Sequence, residues 1–292
     1  MDSINITAIV TAYNQPDKTI ETLNKFKQCN PSPSEIIVHV DGGKVELQSL
    51  LQKEFPDIKI ILSQENIGPG GGRNKLIKMA QYDLIASFDD DSYPLDIDYF
   101  DRLLKLFTGF PDASIITAKL YHQNELIEDA TEQSYWVADF AGCACAYRKS
   151  IFFNTTGYIP LPIAYGMEEV DLALRLHAQG YRILQTDFIR VFHNTDRKRH
   201  SNHRVTSSSL ANIALLAFLR YPILCWFIGL LQLISRIIWL IKNQRYQGIA
   251  TGIIMIPQHL WTHRQFRQTV SASVLLSYLS LKRKPLLIES II

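Results

Sequence analysis

The chain has 292 residues, 47% hydrophobic and 20% charged, with a formal net charge of +2. Its four cysteines (Cys29, Cys143, Cys145, Cys225) form neither a disulfide framework nor paired metal-knuckle spacing, which fits a reduced cytoplasmic compartment. The charge is unevenly spread: residues 1–195 carry 17 Lys/Arg against 26 Asp/Glu, whereas residues 196–292 carry 13 against only Asp196 and Glu289, a change from −9 to +11.

No signal peptide is expected, because residues 1–13 lack a basic start, an apolar core and a small-residue cleavage site. A β-branched strand is expected over residues 4–11, ending at Ala12-Tyr13-Asn14-Gln15-Pro16. Helical spacing follows through Ile20, Leu23 and Phe26, then a strand over 35–40 stopped by Asp41-Gly42-Gly43. A helix over 45–55 leads to a third strand over 59–62. Strands alternating with helices at this spacing predict an α/β fold with a doubly wound, mostly parallel sheet.

The loop Glu65-Asn66-Ile67-Gly68-Pro69-Gly70-Gly71-Gly72-Arg73-Asn74 opens a helix running through Met79. Its glycines allow a ligand to approach the backbone closely, and a helix N-terminus beside Arg73 suits an anion. It is neither a Walker A loop nor a G-x-G-x-x-G placed straight after the first strand. Alone, it is weak evidence and reads more readily as a plain helix entry.

An apolar run over 82–86 then leads into Ser87-Phe88-Asp89-Asp90-Asp91-Ser92-Tyr93-Pro94. Three carboxylates at a strand end repel one another and lose hydration unless a cation compensates. In an open parallel sheet, ligands collect outside the carboxyl ends of the strands. Oxygen ligands there suit Mg²⁺ or Mn²⁺ holding a diphosphate. Taken alone, the triplet also fits a solvated acidic start to a helical segment over 95–107. The three turns upstream favour the cation.

The motifs Thr11-Ala12-Tyr13-Asn14, Val40-Asp41-Gly42, Asn66-Ile67-Gly68 through Gly72-Arg73-Asn74, and Phe88-Asp89-Asp90-Asp91 stand in the order of family 2 glycosyltransferases with the GT-A fold. The resemblance continues through Gly142-Cys143-Ala144-Cys145-Ala146-Tyr147-Arg148, Gly157-Tyr158 and Gly166-Met167-Glu168-Glu169-Val170-Asp171, so it covers about residues 4–195. It implies inverting transfer from a nucleotide-diphospho-sugar, assisted by Mn²⁺ or Mg²⁺. By the same resemblance, Asp41 recognises the base, with Thr11, Ala12 and Tyr13 beside it. Gly70, Arg73, Asp89 and Asp90 complete the donor site. Asp91 binds the metal, and His193, in an apolar strand over 189–193, completes the metal or diphosphate site. A histidine after a strand also fits a purely structural role. Glu169 corresponds to the general base, although the family usually has Glu-Asp where this chain has Glu168-Glu169. Glu168 is placed with the acceptor, and a one-residue change of register would make it the base. Trp136 falls where an acceptor sugar would stack, or equally in the core. Asp171 and Arg175 are one helical turn apart and can pair.

Past Asp196 the chain is basic at Arg197-Lys198-Arg199-His200 and then apolar over 210–241, interrupted by Arg220, Pro222 and Arg236. Two helices broken near Pro222 and lying along a membrane surface fit the distributed arginines. A span over 223–241 and a soluble helical subdomain are the other readings. High Leu, Ile and Trp content without a nucleic-acid-binding motif points to an anionic membrane rather than nucleic acid.

The expected organisation is a GT-A catalytic domain at 1–204 and a basic, apolar, membrane-associated helical region at 205–292. The expected function is transfer onto a hydroxyl of a glycan or lipid-linked acceptor in cell-surface glycan assembly. The protein would sit at the cytoplasmic face of the plasma membrane, peripheral or monotopic. A catalytically silent sugar-nucleotide-binding scaffold is one alternative. A sugar nucleotidylyltransferase is another, but it would carry an Arg-containing Gly-rich loop where residues 11–16 stand.

Overall fold

The computed structural model describes residues 3–163, 165, 167–195 and 202–288. The basic run at 197–200 and Gly166 lie outside the described residues.

Four strands form the parallel half of one sheet in the order β3-β2-β1-β4: β1 (Ser3–Ala12), β2 (Ser32–Val40), β3 (Lys59–Leu62) and β4 (Leu84–Asp89). Alternation along β1 sorts its side chains into two layers, because successive Cβ atoms leave opposite faces of a strand. Ile6, Ala8 and Val10 pack with Leu23 and Phe26 of α1 (Pro16–Gln28) and Leu103 of α4 (Tyr99–Gly109). Ile9 packs on the other face with Leu76 and Ile77 of α3 (Gly68–Met79) and Leu172 of α6 (Glu168–Ala178). Register aligns the strand ends, with Thr11 beside Asp89 and Ala12 beside Val40.

The rest of the sheet runs through β8 (Ala144–Arg148), which leads into the one-turn helix α5 (Lys149–Phe152), then β6 (Ala113–His122), β9 (Arg182–His193) and β7 (Ser134–Val137). β8 lies antiparallel between β4 and β6, so the sheet is mixed. The short β5 (Ser92–Pro94) pairs with the end of β9, setting Ser92 opposite His193. That pairing brings the Asp triplet to the late histidine.

The C-terminal helices are α7 (His203–Arg220), α8 (Trp226–Lys242), α9 (Ile249–His263) and α10 (Ala272–Arg283). The break between α7 and α8 falls at Tyr221-Pro222, where proline has no N–H to continue the helix. Leu215, Leu219, Leu275 and Tyr278 share a buried cluster with Leu172 and Leu176 of α6. The chain then returns to the sheet as β10 (Leu286–Ile288), antiparallel to β7, with Leu286 opposite Trp136.

One expectation is corrected here. Arg220 does not face a membrane: it is 1% exposed and donates to both oxygens of Asp171. Asp171 also accepts from Arg175, as the one-turn spacing predicts. A carboxylate with two guanidiniums inside a protein needs such hydrogen bonds to offset lost hydration.

Candidate active site

The carboxyl ends of β1, β2 and β4 open onto a cleft of about 640 Å³, lined among others by Thr11, Asp41, Asp91, Glu169 and His193. Asp41 accepts hydrogen bonds from the backbone N–H groups of Gly42 (3.0 Å), Ile67 (3.1 Å) and Gly68 (3.0 Å). It thereby fixes the entry of α3 against the end of β2. Gly68 has φ +73°, and a Cβ there would lie 1.9 Å from the Leu161 carbonyl oxygen, so no other residue fits that turn. Thr11 Oγ1 donates to Asp89 Oδ1 at 3.0 Å. Asp90 accepts from the Tyr13 N–H (3.1 Å) and from Gln15 Nε2 (3.2 Å), holding the loop that leaves β1. Burial, and then its neighbour Asp91, push the Asp90 carboxyl up to about 7.

Arg73 is fully committed inside the protein. Its Nε donates to Ser87 Oγ (3.2 Å), one terminal nitrogen to Glu168 Oε1 (3.0 Å) and the other to Asp89 Oδ1 (2.5 Å). It therefore ties the end of β4 to the start of α6. Gly70 makes room behind it, since a Cβ there would come within 2.4 Å of Glu168 Oε2.

His193 Nε2 lies 3.0 Å from Asp91 Oδ1, and Lys18 Nζ lies 3.3 Å from Asp91 Oδ2. Lys18 also donates to the Asn194 carbonyl. On its other side, His193 Nδ1 is 3.7 Å from Cys143 Sγ. Ligand atoms of Asp89, Cys143 and His193 all lie within 4.8 Å of one another. Burial alone would raise Asp91, but His193 and Lys18 prevail and hold it below its ordinary value. Burial pushes the Cys143 thiol well up in the metal-free protein. The carboxylates and imidazole gathered here fit a divalent cation.

Glu168 and Glu169 open α6. Glu168 is 4% exposed and paired with Arg73, whereas Glu169 is half-buried and faces the cleft. Gly142 permits this packing, because a Cβ there would lie 2.9 Å from both Arg73 Cζ and Glu169 Oε1. Burial raises both carboxyls; Glu168, with Glu169 as its next cause, reaches about 8 despite Arg73.

The cleft thus gathers the expected residues from four strand ends and two helix starts, with Arg73, Gly70 and Glu168 forming its support. Trp136 is not among them. It packs edge-on to Phe110 under the Arg182 guanidinium, and lines a separate cavity of about 510 Å³ beside His177 and Lys284. Lys18, Gln15 and Cys143 had no sequence signal for a site role. Cys143 stood inside a family-like motif, but its approach to His193 spans 50 positions.

Residues 7–158, just over half of the chain, match the sequence profile described as Glycosyl transferase family 2. The chain belongs to glycosyltransferase family 2. This family 2 enzyme is 25% identical over 197 residues to a poly-β-1,6-N-acetyl-D-glucosamine synthase of Staphylococcus aureus, covering 61% of the present chain and 47% of that protein. The chain therefore spans about half the length of the curated relatives it matches. Among solved structures it resembles S. aureus TarS 1-349 in complex with UDP-GlcNAc, with a TM-score of 0.56 and 13% identity over 90% of this chain and 92% of that one. It also resembles the mannosyltransferase PcManGT of Pyrobaculum calidifontis, in complex with GDP-Man and Mn²⁺. There the TM-score is 0.55 and identity 13%, over 96% of this chain and 83% of that one. These likenesses establish the GT-A fold. The chain is thus a family 2 glycosyltransferase, with sequence similarity to a polysaccharide synthase.

Proposed function

We propose that this glycosyltransferase moves a sugar, with inversion, from a nucleotide-diphospho-sugar to a hydroxyl of a glycan or lipid-linked acceptor. The observation carrying this reading is that one cleft is lined by Asp89, Asp91 and His193 and also by the Glu169 carboxylate. A general base and a leaving-group site in one cleft suit a single displacement.

Glu169 takes the proton of the acceptor hydroxyl as that oxygen bonds to the anomeric carbon from the face opposite the nucleotide. The bond from the anomeric carbon to the diphosphate oxygen breaks, and its electron pair leaves with the nucleoside diphosphate. Asp89, Asp91 and His193 would hold a divalent cation, which when bound would supply positive charge for the departing diphosphate. Thr11, Ala12, Tyr13 and Asp41 line the part of the cleft assigned to the nucleoside. Arg73 acts by holding Asp89 and Glu168 in place, and Asp90 by holding the Tyr13 loop. Residues 1–204 carry the reaction, and residues 205–292 place it at the cytoplasmic face of a membrane.

The related synthase and the TarS complex make UDP-N-acetylglucosamine the first donor to test. A thermal-shift panel of nucleotide sugars, each with and without Mn²⁺, tests the reading, because a ligand of the native state raises its stability. At least one nucleotide sugar should raise the melting temperature, and more so with Mn²⁺. A panel in which none does so would refute the donor assignment.

A further inference from the structure

α8 and the turn before it, Ile223–Lys242, make 20 residues long and apolar enough to cross a membrane. The packing around it excludes a single crossing. α7 before it and α9 after it touch along their length: His203 Nε2 lies 3.1 Å from Thr251 Oγ1, and His259 Nε2 lies 2.9 Å from Asn212 Oδ1. Gly252 is pressed so close to α7 that a Cβ would lie 2.8 Å from the Ser207 carbonyl oxygen. Further on, β10 pairs with β7 of the catalytic sheet. A helix that crosses once puts its two ends on opposite sides; α7 is itself fastened to the catalytic domain, by Arg220 on Asp171 and Asn212 on the Ile163 carbonyl, so these contacts keep both ends of α8 on that domain's side.

α8 is also two-faced. Gly229 and the buried Leu240 turn towards the protein, Gly229 lying hard against Ala217 of α7, and Tyr221 donates to Gln232 at 2.9 Å. Opposite them, Phe227, Leu231, Ile234, Ile238 and Ile241 recur every three to four residues and are all exposed, with Leu230 alongside. Beside this stripe the half-exposed Trp239 ring lies under the Arg245 guanidinium at 5.3 Å and under that of Arg236, on the Gly229–Gln232 side of the helix, at 4.5 Å. Just past α9, Arg264 lies over Trp261 at 3.9 Å. Tryptophan and arginine with apolar bodies and polar ends suit the headgroup level of a bilayer.

Charge selects the occupant of this face. Residues 202–288 contain ten Lys/Arg and no Asp or Glu; Arg220 is spent on Asp171 and Lys282 on Asp139, and eight remain with no acid of their own region to pair with. A second copy packed stripe to stripe would bring two such positive surfaces together without a counter-charge, whereas an anionic lipid leaflet supplies one. We infer that α8 lies in the plane of an anionic membrane surface, its Phe227–Ile241 stripe inserted among the acyl chains without crossing. The inference stands independently of the donor, since it uses no residue of the cleft. An enzyme moored this way works on an acceptor at the same surface.

The test is flotation of the full chain with vesicles of phosphatidylcholine, alone or with added phosphatidylglycerol. Binding should be strong only with the anionic lipid, and salt should reduce it without abolishing it. Leu231→Ser with Ile234→Ser, both at exposed positions, should lower binding by about tenfold or more while leaving thermal unfolding unchanged. The four native cysteines are buried, so single exposed cysteines report topology. Gln247→Cys, just after α8, and Lys53→Cys, in α2 (Val45–Glu54), should label alike with an impermeant maleimide added outside the vesicles. The inference is overturned by unchanged binding of the double variant, by protection of Gln247→Cys alone, or by a lipid-free dimer that the double variant dissolves.

Discussion

Arg220 of α7 donates from Nε to Asp171 Oδ1 of α6 at 2.5 Å, and both side chains are at most 1% exposed. The same Arg220 donates to the carbonyls of Phe266 and Gln268. The helix that opens with Glu168 and Glu169 is thereby fastened to the C-terminal region by a buried charge pair.

Removing Arg220 leaves the Asp171 carboxylate buried with Arg175 as its remaining charged partner. Arg220→Met should therefore cost up to about 3–5 kcal/mol of folding stability, measured by urea denaturation. A loss under about 1 kcal/mol would show that water reaches Asp171 once the guanidinium is gone.

Arg73 holds three partners with one planar guanidinium, and a lysine offers a single ammonium with no such fork. Arg73→Lys should keep the fold but lower turnover by about 10²-fold, the scale of an ångström-sized displacement of reacting groups. Turnover close to wild type, with Asp89 and Glu168 unsupported, would remove Arg73 from the account.

The parallel half of the fold is legible because each turn residue that matters stands at the end of a β-branched run: Thr11, Asp41 and Asp89 could be placed by position alone. The antiparallel half is not. β8 reads Ala144-Cys145-Ala146-Tyr147-Arg148, small residues that signal no strand, and β10 has three residues. Arg220 looked like an interruption in an apolar run because its partner lies 49 positions away on another helix. Trp136 was open to two readings, and the pairing of β7 with β9 and β10 turns it away from the cleft.

The two acids of α6 give opposite pH signatures. Burial raises Glu169 above its ordinary 4.5, and a base must be deprotonated, so the acid limb of kcat/KM should lie above pH 4.5. Glu168 sits at about 8 in the fold against an ordinary 4.5, so the fold binds its proton more tightly than the unfolded chain does. Its contribution is full below pH 4.5 and is lost as pH rises through about 8. Glu168→Gln cannot ionise, so its stability relative to wild type should improve with rising pH across that window. Urea midpoints of the two proteins that keep a constant gap would contradict this.

At the cluster beside Lys18, Asp91→Asn should lower Mn²⁺ affinity by at least about tenfold in calorimetry, and His193→Ala should do the same. Cys143→Ser, which alters a protonated thiol, should leave that affinity within a few-fold of wild type. Equal losses in all three would make the thiol a ligand after all.

Glu169 is the residue on which the proposed chemistry turns, and Glu169→Gln keeps its size and hydrogen bonding while removing the base. The measurement is the rate of nucleoside diphosphate release from a nucleotide sugar in the presence of acceptor, beside donor affinity. The account predicts a fall in rate of about 10²–10⁴ with donor affinity preserved. A Glu169→Gln enzyme that turns over normally, while Glu168→Gln is crippled, would contradict it and move the base one residue back.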